Sequence, residues 1–194
     1  MKDSGRKPEK IIIGITGASG AALGVQLLMR LKAECVETHL VISKWGAYTI
    51  AEETGYEPSS VRGLASYAYD EHDMAAAISS GSFPIDAMAI VPCSMKTLAG
   101  IANGFSDDLI IRAADVCLKE RRPLVLAVRE TPLSKIHLEN MLKATEAGAI
   151  CMPPMPAFYL KPTSVDEIIS QSVSRIMEKL GVTPGWQKRW AGHE

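Results

Sequence analysis

Short apolar runs alternate with longer amphipathic segments along this chain. The apolar runs are rich in β-branched residues and predict five buried strands: Lys10–Ile15, Val36–Ile42, Ile85–Val91, Pro123–Val128 and Ala149–Met152. The segments between them carry apolar residues at helical spacing. They predict helices over Ala21–Lys32, Ser43–Glu53, Met74–Ser82, Ser94–Ala102, Asp108–Glu120, Ser134–Ala147 and Ser164–Leu180. Loops are predicted over Thr54–Arg62 and Pro153–Pro162, and Pro92 is expected to stop the third strand.

The nearly continuous apolar character of the strands predicts that both faces of the sheet are covered. Strands that alternate with helices form parallel sheets with right-handed crossovers, so an α/β, doubly wound parallel sheet is expected. The length of 194 residues fits a single domain spanning 1–194. Polar tails are expected at residues 1–9 and 182–194.

Composition and charge exclude several classes of protein. The net charge is −1 with no long basic arm, which argues against nucleic-acid binding. The N-terminus lacks an apolar signal-peptide core, and no apolar run approaches the length of a transmembrane helix. The four cysteines form neither a CxxC nor a zinc pattern, so reduced thiols in the cytoplasm are expected. The histidines are scattered, and no metal site is expected.

Ligands of doubly wound sheets bind beyond the carboxyl ends of the strands. The segments that follow the predicted strands are therefore the candidate binding regions. They are Gly14–Gly20, Ser43–Lys44, Pro92–Thr97, Arg129–Thr131 and Pro153–Tyr159.

The glycine-rich segment Gly14–Gly20 joins a strand to a helix, where backbone N–H groups at the helix start favour an anion. It is neither a Walker loop nor a clean GxGxxG, and no acidic residue ends the second strand. This argues against NAD and leaves FMN or another monophosphate open. The alternative is a tight turn that binds nothing. Ser43 is expected to cap the following helix and could also contact a ligand.

The later segments carry polar groups that also have structural explanations. Ser94, Lys96 and Thr97 place two hydroxyls and an ammonium at a helix start, although capping and a solvated lysine would explain them too. A charged pair, Arg129 and Glu130, follows a core strand, where both charges must be paired or used. The proline-rich loop would make an apolar pocket with the Tyr159 hydroxyl in it. Cys93 is expected to be a buried structural thiol.

Together these segments closely resemble the flavin prenyltransferases, the UbiX-like proteins. The resemblance rests on GITGASG, ISK, SSGSFP, VPCSMKTLAGIANG, RAADVCLKERRPLVLAVRETPLS, HLENMLK and MPPMPAFYLKP, and runs from about Lys10 to Trp190. It implies a three-layer Rossmann- or flavodoxin-like fold that assembles into a homododecamer. It implies transfer of dimethylallyl from dimethylallyl phosphate or diphosphate to N5 and C6 of reduced FMN, without a metal. The product, prenylated FMN, would be passed to a UbiD-type decarboxylase.

The resemblance also implies roles for individual residues. The FMN site would be Gly17, Ala18, Ser19, Ser43, Ser94, Met95, Lys96, Thr97 and Arg129. The prenyl-phosphate site would be Arg112, Lys119, Tyr159, Arg175 and Trp190, partly contributed across subunits. Ser19, Glu53 and Glu130 would be catalytic, with Glu53 and Glu130 handling protons.

Two alternatives keep the fold and change the activity. A non-catalytic, FMN-binding accessory subunit of an aromatic acid decarboxylase would share the FMN site. A flavin-dependent cysteine decarboxylase would need an asparagine in a PxMNxxMW-like motif, and the corresponding stretch here, PPMPAFYL, has none.

Overall fold

The computed structural model describes residues 7–186. Within them the strands are β1 (Lys10–Ile15), β2 (Glu37–Ile42), β3 (Tyr67–Tyr69), β4 (Ala87–Cys93), β5 (Leu124–Val128) and β6 (Ile150–Cys151). All pair in parallel, in the order β3-β2-β1-β4-β5-β6. The direction of winding reverses between β1 and β4, which is the Rossmann arrangement. The predicted doubly wound parallel sheet is confirmed.

Helices cover both faces of this sheet. They are α1 (Ala21–Ala33), α2 (Lys44–Glu53), α3 (Pro58–Arg62), α4 (Met95–Asn103), α5 (Leu109–Lys119), α6 (Lys135–Glu146) and α7 (Val165–Lys179). Side chains alternate between the faces of a strand, so Ile11, Ile13 and Ile15 join one core with α1 and α7. Ile12 joins a second core on the opposite face with α4, α5 and α6. Among the described residues, no helix is long and apolar enough to cross a membrane.

Polar caps begin most of the helices, as their sequences predict. Ser43 Oγ accepts a hydrogen bond of 3.0 Å from the Gly46 N–H at the start of α2. Ser94 caps α4 in the same way, and Asp108 caps α5 with 2.9 Å between its Oδ1 and the Ile111 nitrogen. Capping satisfies backbone donors that have no partner within the helix. Each cap therefore fixes where its helix leaves the carboxyl edge of the sheet.

The sequence prediction missed one strand, β3. This edge strand has only three residues, which is too short for a recognisable hydrophobic pattern. It is held by the buried His39 of β2, whose ring stacks on Tyr67 with 5.0 Å between centroids and whose Nδ1 lies 2.9 Å from the Tyr69 hydroxyl. Long-range contacts, rather than local pattern, define this strand.

One predicted loop and one predicted helix were also wrong. Pro58–Arg62, predicted as part of a loop, is a short helix with proline in its first turn, where the missing N–H costs nothing. The predicted helix over Met74–Ser82 shrinks to a single 3-10 turn, Ala77–Ser79. A second 3-10 turn, Phe158–Leu160, lies within the predicted proline-rich loop.

The third predicted strand continues past its expected end at Val91. β4 runs through Pro92 to Cys93, and its register against β5 shifts between Ile90 and Cys93. Proline lacks a backbone N–H and is tolerated where the ladder is irregular. At the C-terminus, Val182 is buried in the core, so the described part of the predicted tail packs against the domain.

Candidate active site

The carboxyl edge of the sheet brings together the segments that follow β1, β2, β4 and β5. The Ser43 N–H donates to the Ile15 carbonyl at 3.0 Å, and the Thr16 N–H donates to the Pro92 carbonyl at 3.3 Å. The Arg129 N–H donates to the Cys93 carbonyl at 3.1 Å. These backbone bonds place the glycine-rich loop, both serine caps and Arg129 along one edge, on either side of the switch point.

Thr16 ties two of these segments together, and the sequence analysis did not single it out. Its buried hydroxyl donates to the Pro92 carbonyl at 2.8 Å and accepts from the Ser94 N–H at 2.8 Å. A single side chain therefore fixes the end of β4 relative to the end of β1. Its position inside GITGASG was the available signal, but glycines dominated the interpretation of that motif.

The first turn of α1 is occupied by a carboxylate of the protein. Glu53 Oε2 accepts hydrogen bonds from the N–H groups of Gly20 and Ala21, at 2.8 and 3.0 Å. Gly20 has the left-handed conformation, with φ of 106°, that lets the loop turn into the helix. The sequence predicts an anion here, and in the structure that anion is Glu53. The backbone N–H groups of Gly20 and Ala21 are thus unavailable to a ligand phosphate while they donate to Glu53.

Electrostatics favour the ionised form of Glu53. Burial raises the pKa of this carboxyl, but hydrogen bonds from Gly20, from the Ser19 side chain and from Ala21 lower it, as does the charge of Arg129. The net effect is a pKa below its ordinary value. Ser19 and Glu53 therefore form a hydrogen-bonded pair at the helix start. Glu130, the other proposed proton-handling residue, is exposed and accepts from the Thr131 N–H at 3.0 Å.

Trp45 packs against the glycine loop and was also missed from sequence. A Cβ added to Gly17 would collide with the Cβ of Trp45. The Trp45 side chain is 64% exposed and lies edge-on to Tyr48, with 5.9 Å between ring centroids. Glycine is needed at position 17 because α2 approaches the loop so closely.

The helix α4 presents the polar cluster predicted from Ser94 to Thr97. Ser94 Oγ lies 3.1 Å from Thr97 Oγ1, and Thr97 is buried. The Lys96 ammonium binds Asp108 at 2.9 Å and Asp107 at 3.3 Å. Burial lowers the pKa of Lys96, but these carboxylates raise it above its ordinary value. The lysine is thus exposed to solvent, as considered from sequence, and is also ion-paired.

Two residues predicted to bind prenyl phosphate, Tyr159 and Arg175, line one cavity of about 430 Å³. Its remaining walls combine apolar and polar groups: Met152, Met155, Ala157, Leu160, Glu167, Ser170, Gln171, Ser174 and Trp186. The proline-rich loop supplies one side and α7 the other. An apolar cavity with a few convergent polar groups is typical of a small-molecule site.

The other predicted phosphate ligands lie elsewhere in the same chain. Arg112 donates to the Ser79 carbonyl at 3.1 Å and pairs with Asp115 at 2.8 Å. Lys119, the last residue of α5, pairs with Glu120 and lies about 10 Å along the helix from Arg112 at 1.5 Å per residue. Both are on α5, across the sheet from α7. Trp190 lies outside the described residues. One chain alone therefore does not assemble this set.

Metal-ligating residues do not cluster in the described part of the chain: residues 7–186 contain no group of three or more His, Cys, Asp or Glu placed to hold an ion. Its four cysteines are unpaired thiols. The predicted structural role of Cys93 fits its complete burial, which raises the pKa of the thiol.

Comparison with known proteins gives consistent matches over nearly the whole chain. The model of the Flavoprotein family matches residues 2–177. Flavin prenyltransferase PAD1, mitochondrial, of Saccharomyces cerevisiae is 55% identical over 96% of this chain and 77% of its own length. A probable UbiX-like flavin prenyltransferase of Bacillus subtilis is 53% identical over 100% of this chain and 95% of its own.

Solved structures match equally well. AnUbiX (PadA1), in complex with FMN and dimethylallyl pyrophosphate, is 56% identical with a TM-score of 0.94, covering 97% of this chain and 100% of its own. A dodecameric FMN-dependent UbiX-like decarboxylase from Escherichia coli O157:H7 is 53% identical with a TM-score of 0.92, covering 94% and 100%. The FMN-dependent cysteine decarboxylase SpaF is only 17% identical, with a TM-score of 0.59, and shares the fold alone.

Proposed function

This chain belongs to the Flavoprotein family and, within it, to the UbiX-like flavin prenyltransferases, and we propose that it transfers a dimethylallyl group from dimethylallyl phosphate or diphosphate to reduced FMN. The observation that carries the proposal is the match to AnUbiX, which binds FMN and dimethylallyl pyrophosphate, at 56% identity along the whole of that chain. Tyr159 and Arg175, together in one cavity, supply groups suited to a phosphate.

The carboxyl edge fits the phosphate-bearing FMN. The backbone N–H groups of Met95 and Lys96, in the first turn of α4, have no acceptor among residues 7–186. The helix start and its dipole favour an anion there. The Ser43 hydroxyl accepts a capping bond and keeps a hydrogen to donate. The Ser94 and Thr97 hydroxyls share one hydrogen bond, which leaves one hydrogen between them for a ligand. We assign the FMN phosphate to this side of the switch point, with Gly17, Ala18 and Ser19 approaching from β1.

Reduced FMN, as the acceptor substrate, supplies the nucleophilic N5 and C6 atoms at which the new bonds form. The chain's own contribution is to hold the donor. The Tyr159 hydroxyl and the Arg175 guanidinium stabilise the departing phosphate through charge-assisted hydrogen bonds. The apolar side chains of Met152, Met155 and Leu160 line the same cavity and are placed to contact the dimethylallyl group.

The groups proposed to take part in proton transfer lie at the start of α1, where Glu53 meets Ser19, and after β5, where Glu130 lies. The lowered pKa of Glu53 makes it a weaker base than an ordinary glutamate. We therefore propose that Glu53 orients the Ser19 hydroxyl. Glu130 or the released phosphate then accepts the proton lost from C6.

The active site is completed by a second copy of the chain in this proposal. The FMN-side residues do not line the cavity of Tyr159 and Arg175, and Arg112 and Lys119 are on the other face of the sheet. Large apolar side chains such as Phe105, Ile136 and Leu142 are more than half exposed, which suits burial between subunits. The E. coli relative is dodecameric, and we propose a homododecamer that also positions Trp190.

We propose that prenylated FMN then leaves for a UbiD-type decarboxylase. A reducing compartment suits the unpaired thiols, and we propose a cytoplasmic location. The yeast relative is named as mitochondrial.

The flavin that co-purifies with the protein tests the proposed function. Mass spectrometry and absorbance should reveal FMN together with a species one C5 unit heavier. Arg175→Ala and Tyr159→Phe separate a transferase from a carrier. They should abolish or strongly slow formation of the heavier flavin while FMN still binds. If both variants activate a UbiD-type decarboxylase as well as the unmodified protein does, the chain is an FMN-binding accessory subunit instead.

A further inference from the structure

Four cations of the proposed FMN and prenyl-phosphate sites are each paired with a carboxylate of the same chain. Arg112 pairs with Asp115 at 2.8 Å, and Lys96 pairs with Asp108 at 2.9 Å. Lys119 pairs with Glu120, and Arg175 pairs with Glu178. Carboxylates of the same chain are thus paired with the cations that are proposed to bind a phosphate. The pair on α7 is the informative one, because Arg175 lines the cavity together with Tyr159.

Arg175 and Glu178 are three residues apart on α7, a spacing that places both side chains on one helix face. The guanidinium donates through Nη1 to the Glu178 carboxylate. The arginine side chain is 52% exposed and the glutamate 28%. Ion pairs this exposed contribute little to stability. The pair can therefore open at small cost when a stronger anion arrives.

We propose that Glu178 is a positioning residue that competes with the donor phosphate for Arg175. This inference rests on the proposed function. A phosphate ester carries up to two negative charges and accepts paired hydrogen bonds from a guanidinium, so it displaces the single carboxylate. After transfer, Glu178 recaptures Arg175 and favours release of inorganic phosphate. Competition by the Glu178 carboxylate thus weakens the binding of both the donor and inorganic phosphate.

Direct binding measurements test this without turnover. Glu178→Gln, loaded with oxidised FMN, is titrated calorimetrically with dimethylallyl monophosphate and separately with inorganic phosphate. We expect Kd to fall about two- to five-fold for both ligands, the range of an exposed ion pair. Glu178→Asp keeps the charge and should bind like the unmodified protein. Glu139→Gln removes a comparable exposed pair with Lys135, at 3.4 Å on α6, and should change nothing.

Unchanged or weaker binding in Glu178→Gln would overturn the proposal, as would equal tightening in Glu178→Asp. Tightening by Glu178→Gln in an Arg175→Ala background would also overturn it, because the effect would not pass through the guanidinium. In turnover, Glu178→Gln should lower KM for the donor without raising kcat and should increase inhibition by phosphate. If the Glu178 variants bind the donor as expected but the protein does not prenylate FMN, the proposed function alone is wrong. If the protein prenylates FMN but Glu178→Gln changes neither donor nor phosphate binding, this inference alone is wrong.

Discussion

The carboxylate of Glu53, in the last turn of α2, accepts a 2.8 Å hydrogen bond from the backbone N–H of Gly20, the residue that caps α1. The helix that follows the glycine-rich loop thus has its positive end neutralised by the protein itself. The start of α4 keeps backbone donors without an acceptor in the described structure. We propose that this difference between the helices that follow β1 and β4 directs the FMN phosphate to α4.

Replacing Glu53 by glutamine should weaken the fold slightly and the catalysis strongly. The amide keeps an acceptor oxygen but loses the charge that complements the helix dipole, so the free energy of unfolding should fall by about 0.3–1 kcal/mol. Denaturant unfolding of Glu53→Gln measures this, with the adjacent Glu52→Gln as the control. A Glu53→Gln protein of unchanged stability and full transferase activity would contradict the assigned role.

The stabilising effect of Glu53 should depend on pH in the acidic range. Because the pKa of Glu53 is lower in the folded state, its contribution is complete above the unfolded pKa, about 4.3, and disappears as pH falls through the folded value. The stability difference between the unmodified protein and Glu53→Gln should therefore be constant near neutral pH and shrink below about pH 4.3. Urea unfolding at several pH values measures it. A stability difference between the two proteins that grows as the pH falls would contradict a lowered pKa for Glu53.

Local sequence was sufficient for the parts of this site that depend on local chemistry. Ser43 and Ser94 follow apolar strands and begin helices, so their capping roles could be predicted. The contact between Glu53 and Gly20 joins residues 33 positions apart, and the bond from Thr16 to the Pro92 carbonyl spans 76. Such contacts follow from how elements pack, and no pattern within one segment reveals them. The same holds for β3, which exists because β2 offers it a partner.

The family resemblance named candidate site residues but did not predict how one chain arranges them. Tyr159 and Arg175 do share a cavity. Arg112 and Lys119 follow the same resemblance, yet they lie on a helix that covers the other face of the sheet. A sequence motif carries no information on which subunit supplies each side chain.

Thr16→Val should loosen the junction between β1 and β4. Valine has nearly the same shape but can neither donate to the Pro92 carbonyl nor accept from the Ser94 N–H. The carbonyl keeps its bond from the Thr16 backbone N–H, so the part-buried Ser94 N–H is the group that loses its partner. The free energy of unfolding should fall by about 1–3 kcal/mol, and FMN affinity should fall with it because Ser94 shifts. Thermal unfolding and fluorescence titration of FMN measure the two effects. Thr49→Val, on α2, is the matched control, and equal behaviour of both variants would contradict the role of Thr16.

Gly17→Ala should damage the FMN site by steric conflict. The added methyl group meets the Cβ of Trp45, so the loop or α2 must move. Overpacking of this kind costs about 1–3 kcal/mol, and FMN binding should weaken by at least tenfold, about 1.4 kcal/mol. Equilibrium titration with FMN measures the change. Gly185→Ala has open space around its Cβ and should bind FMN normally. Normal binding by Gly17→Ala would mean that the loop does not contact the flavin.

Prenylation of FMN itself is tested most directly by anaerobic incubation of the protein with reduced FMN and dimethylallyl monophosphate, followed by mass spectrometry of the extracted flavin. Parallel reactions contain the diphosphate, oxidised FMN, or the Arg175→Ala protein. We predict a flavin heavier by one C5 unit with reduced FMN and the unmodified protein, and little or none with oxidised FMN or with Arg175→Ala. Unmodified FMN recovered from every reaction, with either donor, would contradict the assignment of this chain as a flavin prenyltransferase.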